Sequence, residues 1–496
     1  MKKYLFIVLL VGVCFGQEIE WFVSYNGSGE ESMGHFVIEC EDGGFLQVGE
    51  TYFFSDPVST KLFVVKTDID GSKIWDNEIY IGGHNLGNSV LESTNGYIIF
   101  GALNQNSSII KLNKNNGTII FNKSFDNGGI DAFENGVETP NGLVAVGYIN
   151  SEDPYNTFYT EGEGFISFLD NEANEITSFS IGSYISQAYR IILHENELYI
   201  SGLTDEALNY KMMKMSLSGE IIWHYEYGGS GDDHCFAMDM NEEGEIFLGG
   251  HTTSDTENWD VYTIKLSNNG EILWEKKIGN PRGFNPYYIH DEAWGIQSTR
   301  DGGCVVVAGT GDEYGDYSEC IDNICSDIWN AYIIKYDSDG LIVWEETFSP
   351  LDIGNENYDW AAEDIDLTVD GGAVIAIDNG QFGFLKLNNI QNILTIEKQS
   401  IPVTLRTLIS QNYPNPFNPT TEIKYYLPEN SFVDIWVYDI LGNVVVNLLT
   451  KNQNSGSKKI HWDATNNQGQ KVSAGVYLYT IQANKLSHTK KMILMK

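Results

Sequence analysis

Short apolar runs recur along most of the chain. Each is strand-length, rich in Val, Ile, Phe and Tyr, and bounded by Gly, Asn and Asp. The stretch from Trp223 to Trp274 shows the pattern best: WHYEYGGSGDDHCFAMDMNEEGEIFLGGHTTSDTENWDVYTIKLSNNGEILW. Four β-type runs lie within it: one after Trp223, then Cys235–Met240, Glu245–Gly250 and Val261–Leu266. A Glu-Gly turn separates the second from the third, and an Asn-Gly turn separates the fourth from the next Trp. Asn-Gly between β-type runs signals a hairpin. Four antiparallel strands per repeat predict a propeller blade.

The opening aromatic returns at Trp21, Trp75, Phe121, Phe179, Trp223, Trp274 and Trp344, at intervals of roughly fifty residues. The turns return with it. Asp42-Gly43-Gly44, Asn95-Gly96, Asn141-Gly142, Glu243-Gly244, Asp301-Gly302-Gly303 and Asp370-Gly371-Gly372 separate second from third strands, and the fourth unit has Glu195-Asn196 instead. Asp70-Gly71, Asn116-Gly117, Ser218-Gly219, Asn269-Gly270 and Asp339-Gly340 precede the next aromatic. The expected fold is all-β: a propeller of about seven blades over residues 17–390, then a small Ig-like β-sandwich. In an up-and-down blade the two tight turns share one face and the two variable connections share the other. The variable face is the expected working face.

The segments TIKLSNNGEILW, IIKYDSDGLIVW and VVKTDIDGSKIW resemble the tryptophan-docking repeats of quinoprotein-like (PQQ-like) propellers. That resemblance implies fold and not activity. After Asn388 the repeat lapses, and residues 391–409 read as a linker. The composition then changes. The motif Tyr413-Pro414-Asn415-Pro416-Phe417-Asn418-Pro419 is followed by Val437–Val445 (VYDILGNVV), Trp462-Asp463, the Gly475–Tyr479 segment GVYLY containing Tyr477, and the basic pair Lys490-Lys491. Residues 410–496 resemble the type A C-terminal sorting domain of type IX secretion substrates. Family members often carry Gly after Trp-Asp, where this chain has Ala464. The resemblance implies Sec export to the periplasm, passage through the type IX translocon, sortase removal of the domain and attachment to surface lipopolysaccharide.

Composition supports the same setting. The 496 residues carry 69 acidic side chains against 29 Lys plus Arg, a formal net charge of −40. Such a surface repels nucleic acid and anionic membrane. Residues 1–16 read as a signal peptide, with Lys2 and Lys3 before an apolar core. Of the remaining cysteines, Cys320 and Cys325 share one polar loop and read as a disulfide.

Candidate chemistry is sparse. Asp-x-Asp-Gly occurs twice, but a calcium loop of EF-hand type would place Lys66 or Lys335 at the first ligand position, so both are read as turns. Vicinal cysteines and a sialidase-type arginine triad are absent, no metal or cofactor is expected, and an enzyme is not the favoured reading. Glu31, Asp233, Asp291 and Asp359 precede second strands, with Asp131 close by and Asn85 and Ser186 in the same slot elsewhere. They either close turns or ring the channel mouth. His84, His234 and His290 share no metal-binding spacing and read as solvated loop residues. The interval from Trp274 to Trp344 is the longest, and its loops carry Tyr287, Tyr288, Asp291, Tyr314, Tyr317 and Trp329, a set suited to a glycan or protein ligand. The expected function is a secreted or cell-surface binding protein. The alternatives are an extracellular polysaccharide hydrolase or lyase using the channel-mouth acids, and a structural surface component.

Overall fold

The structure is a computed structural model that describes residues 18–151, 162–204, 208–313, 320–321, 324–353, 359–390, 408–409, 417–427, 431–439, 444–454, 456–483 and 486–495. The expected signal peptide, most of the linker, and Tyr314, Tyr317, Tyr413, Pro414, Asn415 and Pro416 lie outside the described residues. The chain divides into two compact units, Met1–Ile393 and Leu394–Lys496.

The first unit is a seven-bladed propeller, each blade a four-stranded antiparallel sheet. The innermost strands are Glu31–Glu39, Leu86–Ser93, Ile130–Thr139, Gln187–His194, Asp233–Met240, Ile289–Ser298 and Ala361–Leu367. Each lies against the next, and Ala361–Leu367 lies against Glu31–Glu39, so the ring is closed. Strand Glu18–Tyr25 closes it by pairing with Phe382–Asn388 and becomes the outer strand of the last blade. The aromatic strand that opens each sequence repeat is therefore the outermost strand of the preceding blade.

The outer aromatics and the turn glycines explain each other. A Cβ on Gly117 (φ 66°) would come within 2.4 Å of Trp75, and one on Gly340 (φ 74°) within 2.7 Å of Trp274. The indole N–H groups of these tryptophans donate to the carbonyls of Lys114 and Ser338, each at 3.0 Å. Blade is thus fastened to blade by a ring lying flat on a glycine that only a missing side chain permits. The fourth blade departs from this. Tyr225, not Trp223, covers Gly270, and Tyr227 donates to its carbonyl at 2.7 Å. That blade's Glu195-Asn196 turn also has two non-glycine residues at positive φ, 50° and 65°.

The lysines that spoil a calcium loop have a structural task. Lys66 and Lys335 are buried, and their Nζ atoms reach Asp42 at 2.9 Å and Asp301 at 3.0 Å in the adjacent tight turns. Lys386 meets Asp370 in the same way at 3.0 Å. Burial alone would raise the Asp301 carboxyl, but the Thr299 hydrogen bond and the Lys335 ammonium bring it below the usual range.

Every inner strand carries a β-bulge at the same place in each blade, and Ile130–Thr139 has a second register shift nearer its start. The residues that the strand register skips at that shared place are His35, Asn88, Glu134, Tyr189, Phe236, Trp294 and Glu363. Beyond the bulge, the free edge of the inner strand needs acceptors for its N–H groups. The neighbouring blade supplies them. Val37 N–H donates to Asp364 at 3.0 Å and Glu39 N–H to Asp366 at 2.7 Å. Ser298 N–H donates to Asp239 at 2.6 Å, and Ile191 N–H to the Asn135 side-chain oxygen at 3.2 Å.

The second unit is a two-sheet β-sandwich. One sheet orders Leu408–Ile409, Thr421–Leu427 and Gly456–Trp462; the other orders Val444–Gln453, Ser431–Asp439, Gly475–Ala483 and Leu486–Leu494. Ile423, Tyr425 and Trp462 from the first sheet pack with Val433, Ile435, Val437, Tyr477, Tyr479 and Met492 from the second. Phe417 is buried against Trp462 at 5.5 Å between ring centroids, and its N–H donates to the Ile493 carbonyl at 2.9 Å. Asn418-Pro419 is a cis peptide. Lys490 and Lys491 lie on the last strand, opposite Tyr479 and Leu478, and Gly475 opens the strand facing it. Ala464, where the resemblance expects Gly, is at φ 60°, which is why glycine suits the position.

Candidate functional site

The slot acids close loops. Asp233 accepts the N–H of Gly229 at 2.7 Å and the Ser254 hydroxyl at 2.9 Å. Asp131 accepts the N–H of Asn127 at 2.7 Å and of Asn150 at 3.1 Å, and Asp291 accepts the N–H of Asn280. All three are fully buried rather than presented to a channel mouth. Their own N–H groups donate to the preceding blade, to the carbonyls of Leu208, Gln105 and Trp259. The slot therefore staples one blade to the next. Counted back from the bulge, it holds Ser32 and Trp360 in the first and last blades. Glu31 and Asp359 stand one residue earlier, and Asp359 accepts the Trp329 N–H at 2.9 Å.

The bulge residues divide the ring. Blades four to six contribute aromatics: Tyr189 meets Phe236 at 4.9 Å, and Phe236 stacks on Trp294 at 4.4 Å. The remaining blades contribute Glu363, His35, Asn88 and Glu134. Arg190, next to the fourth bulge, reaches across to the first blade, its guanidinium 5.3 Å from the Phe36 ring.

Burial pushes Glu134 up to about 7 against the pull of Arg190, and Asp364 likewise to about 7. The folded protein holds the Glu134 proton up to about pH 7, whereas the unfolded chain releases it near its ordinary value. Stability from this group is therefore present at low pH and lost as pH rises between those values. We expect Glu134→Gln to raise stability by on the order of 2 kcal/mol at pH 8 and to change little at pH 4. Urea unfolding at the two pH values tests this; equal effects at both would remove Glu134 as the cause.

On the loop side of the bulges, blades five and six bring histidines together. His234 and His290 are buried on inner strands, contrary to the solvated loop positions expected from sequence; His84 is half-buried, 3.6 Å from Glu50. His234 Nδ1 lies 3.2 Å from His251 Nε2 on the next strand. Burial, then the mutual repulsion with His251, pulls His234 down to about 3, and burial pulls His251 down to about 4, so both rings are neutral. Trp259 lies 4.6 Å from the His234 ring, and Trp294 lies 5.4 Å from His251. His290 Nδ1 lies 3.1 Å from Glu292. Burial would raise Glu292, but the His290 hydrogen bond holds it below the usual range.

The sixth blade's long connections meet beside this cluster. Arg282 donates to the carbonyls of Ile328 at 2.7 Å, Cys325 at 2.6 Å and Thr310 at 3.2 Å, binding one loop to the other. Cys320 and Cys325 form the disulfide. Trp329 is half-buried over Gly309 and Gly311, where added Cβ atoms would come within 2.8 and 2.5 Å of it, so it fills a structural place. Tyr287 is exposed and meets Tyr288 edge-on at 5.0 Å. The histidines, Glu292 and Trp294 went unrecognised as a set in the sequence. Their signal was polar residues interrupting strands that a closed apolar core would leave uninterrupted.

Fold and motif together define the class: a closed seven-bladed propeller joined in sequence to a β-sandwich. Residues 411–495 match the Secretion system C-terminal sorting domain. Proteins bearing this domain are exported by type IX secretion to the cell surface or extracellular space, and that is where this protein is delivered. No curated protein matches the chain. Among solved structures it is similar to PorZ, a surface component of the type IX secretion system of Porphyromonas gingivalis, at 11% identity, covering 97% of this chain and 61% of that one, TM-score 0.44. It is also similar to a catalytically inactive virginiamycin B lyase from Staphylococcus aureus determined with quinupristin, at 14% identity, covering 74% and 99%, TM-score 0.46. A third is the Dos1 propeller, at 8% identity, covering 75% and 95%, TM-score 0.45.

Proposed function

We infer that the protein is a surface or extracellular binding protein whose ligand, a glycan or another protein, docks on the loop face of the fifth and sixth blades. One observation carries this reading. Trp259 and Trp294 keep part of their surface accessible beside Glu292, while Tyr287 projects from the adjoining loop. Aromatic faces beside a carboxylate suit sugar stacking with hydroxyl hydrogen bonds, or a basic protein surface. Hydrolysis or lysis through the slot acids has less support, because their oxygens cap loops. Binding of the full-length protein to a glycan array and to isolated cell surfaces tests the reading. Tyr287→Ala and Trp294→Ala should each weaken binding about tenfold or more, with folding checked by thermal melting. Full binding by both folded variants would move the ligand elsewhere, and release of product would make the site catalytic.

A further inference from the structure

We propose that the sixth blade holds a divalent transition-metal ion between His290, Glu292 and Glu313. This goes beyond the ligand-binding reading and does not depend on it. His290 and Glu292 are two apart on strand Ile289–Ser298, so their side chains leave the same face. Glu313 directly follows strand Cys304–Asp312, whose Gly311 pairs with His290 and whose Asp312 pairs with Ile289. A hairpin thereby places one imidazole and two carboxylates together, with one ligand atom from each lying within 4.8 Å of the others.

The electrostatics ask for a cation. His290 is buried and Glu292 is largely so. Glu292 and Glu313 bring two carboxylates to one place beside the imidazole, so like charges face each other there. A dication between them removes that repulsion. One nitrogen and two carboxylates suit zinc or manganese. Calcium takes six to eight oxygens, which this set does not supply. The three ligands found among the described residues do not by themselves fill a four- or six-coordinate shell. The neutral pair His234 and His251 lies in the adjacent blade, and the charge of Glu292 acts on His251.

The test uses the full-length protein, stripped with a chelator and titrated separately with zinc, manganese and calcium at pH 7.5 by calorimetry and equilibrium dialysis. One equivalent of zinc or manganese should bind. H290A, E292Q and E313Q should each weaken that binding at least tenfold, while E220Q, in a tight turn of the fourth blade, leaves it unchanged. Glu313 is exposed, so E313Q keeps the test valid if substitution of His290 disturbs the fold. Absence of a stoichiometric site, binding that survives E313Q and E292Q, or calcium held as tightly as zinc would each overturn the proposal.

Discussion

A chain ended before Gln411 should fold its propeller and fail to reach the cell surface. The two units have separate apolar cores. The sandwich core runs from Phe417 to Leu494, and the propeller cores take their members from blade strands and the segments flanking them. Nothing in the ring closure draws on the sorting domain, because Glu18–Tyr25 supplies the missing outer strand. The address, by contrast, lies in the matched region 411–495. In a host with type IX secretion, the truncated chain should accumulate in the periplasm as a protease-resistant core. Cell fractionation and surface proteolysis measure this. Normal surface delivery of the truncated chain would place the export signal elsewhere.

Gly101→Ala should cost about 3 kcal/mol or more. In five blades a glycine on the second strand faces a carbonyl just before the bulge. An added Cβ would lie 1.9 Å from the Met33 oxygen at Gly49, 2.1 Å from Leu86 at Gly101, 2.0 Å from Ala132 at Gly147, 1.9 Å from Gln187 at Gly202 and 1.7 Å from His234 at Gly250. The obstacle is backbone, which cannot rotate away as a side chain does. Relief requires moving the inner strand, and with it the contacts to both neighbouring blades. Denaturant unfolding gives the magnitude. A loss below about 1 kcal/mol would mean that the bulge relaxes freely.

Much of this architecture was legible because its rules are local. A turn residue at positive φ favours Gly, or an Asn that tolerates it, and in most blades the aromatic that covers the turn recurs with it. About seven repeat units, two of them degenerate, and the Cys320–Cys325 pair could be read directly. The blade frame was not, since a repeating sequence contains no mark of which strand closes the ring. The bulges were also hidden, because one skipped partner alters pairing without altering the hydrophobic pattern. Strand starts were hard to place to the residue: the slot holds Ser32 and Trp360 rather than Glu31 and Asp359, and His234 and His290 stand on strands rather than in loops. The interrupting charges in Asp364, Asp366 and Asp239 held the missing clue. Such residues on an inner strand have partners only if a neighbouring edge needs acceptors.

The pairing of Glu18–Tyr25 with Phe382–Asn388 has a kinetic meaning. Ser24 donates to Gln381 at 2.6 Å across a separation of 357 residues. Bringing ends so distant together costs about 5 kcal/mol of chain entropy if nothing between them is ordered. Blades that form first shorten the effective span, so the ring assembles outward from local hairpins and shuts last at this seam. Until it shuts, Phe382–Asn388 presents an open strand edge, and the Glu18–Tyr25 segment of a second molecule matches it as well as the chain's own. Dilution during refolding therefore favours the closed monomer, and crowding favours exchange between copies.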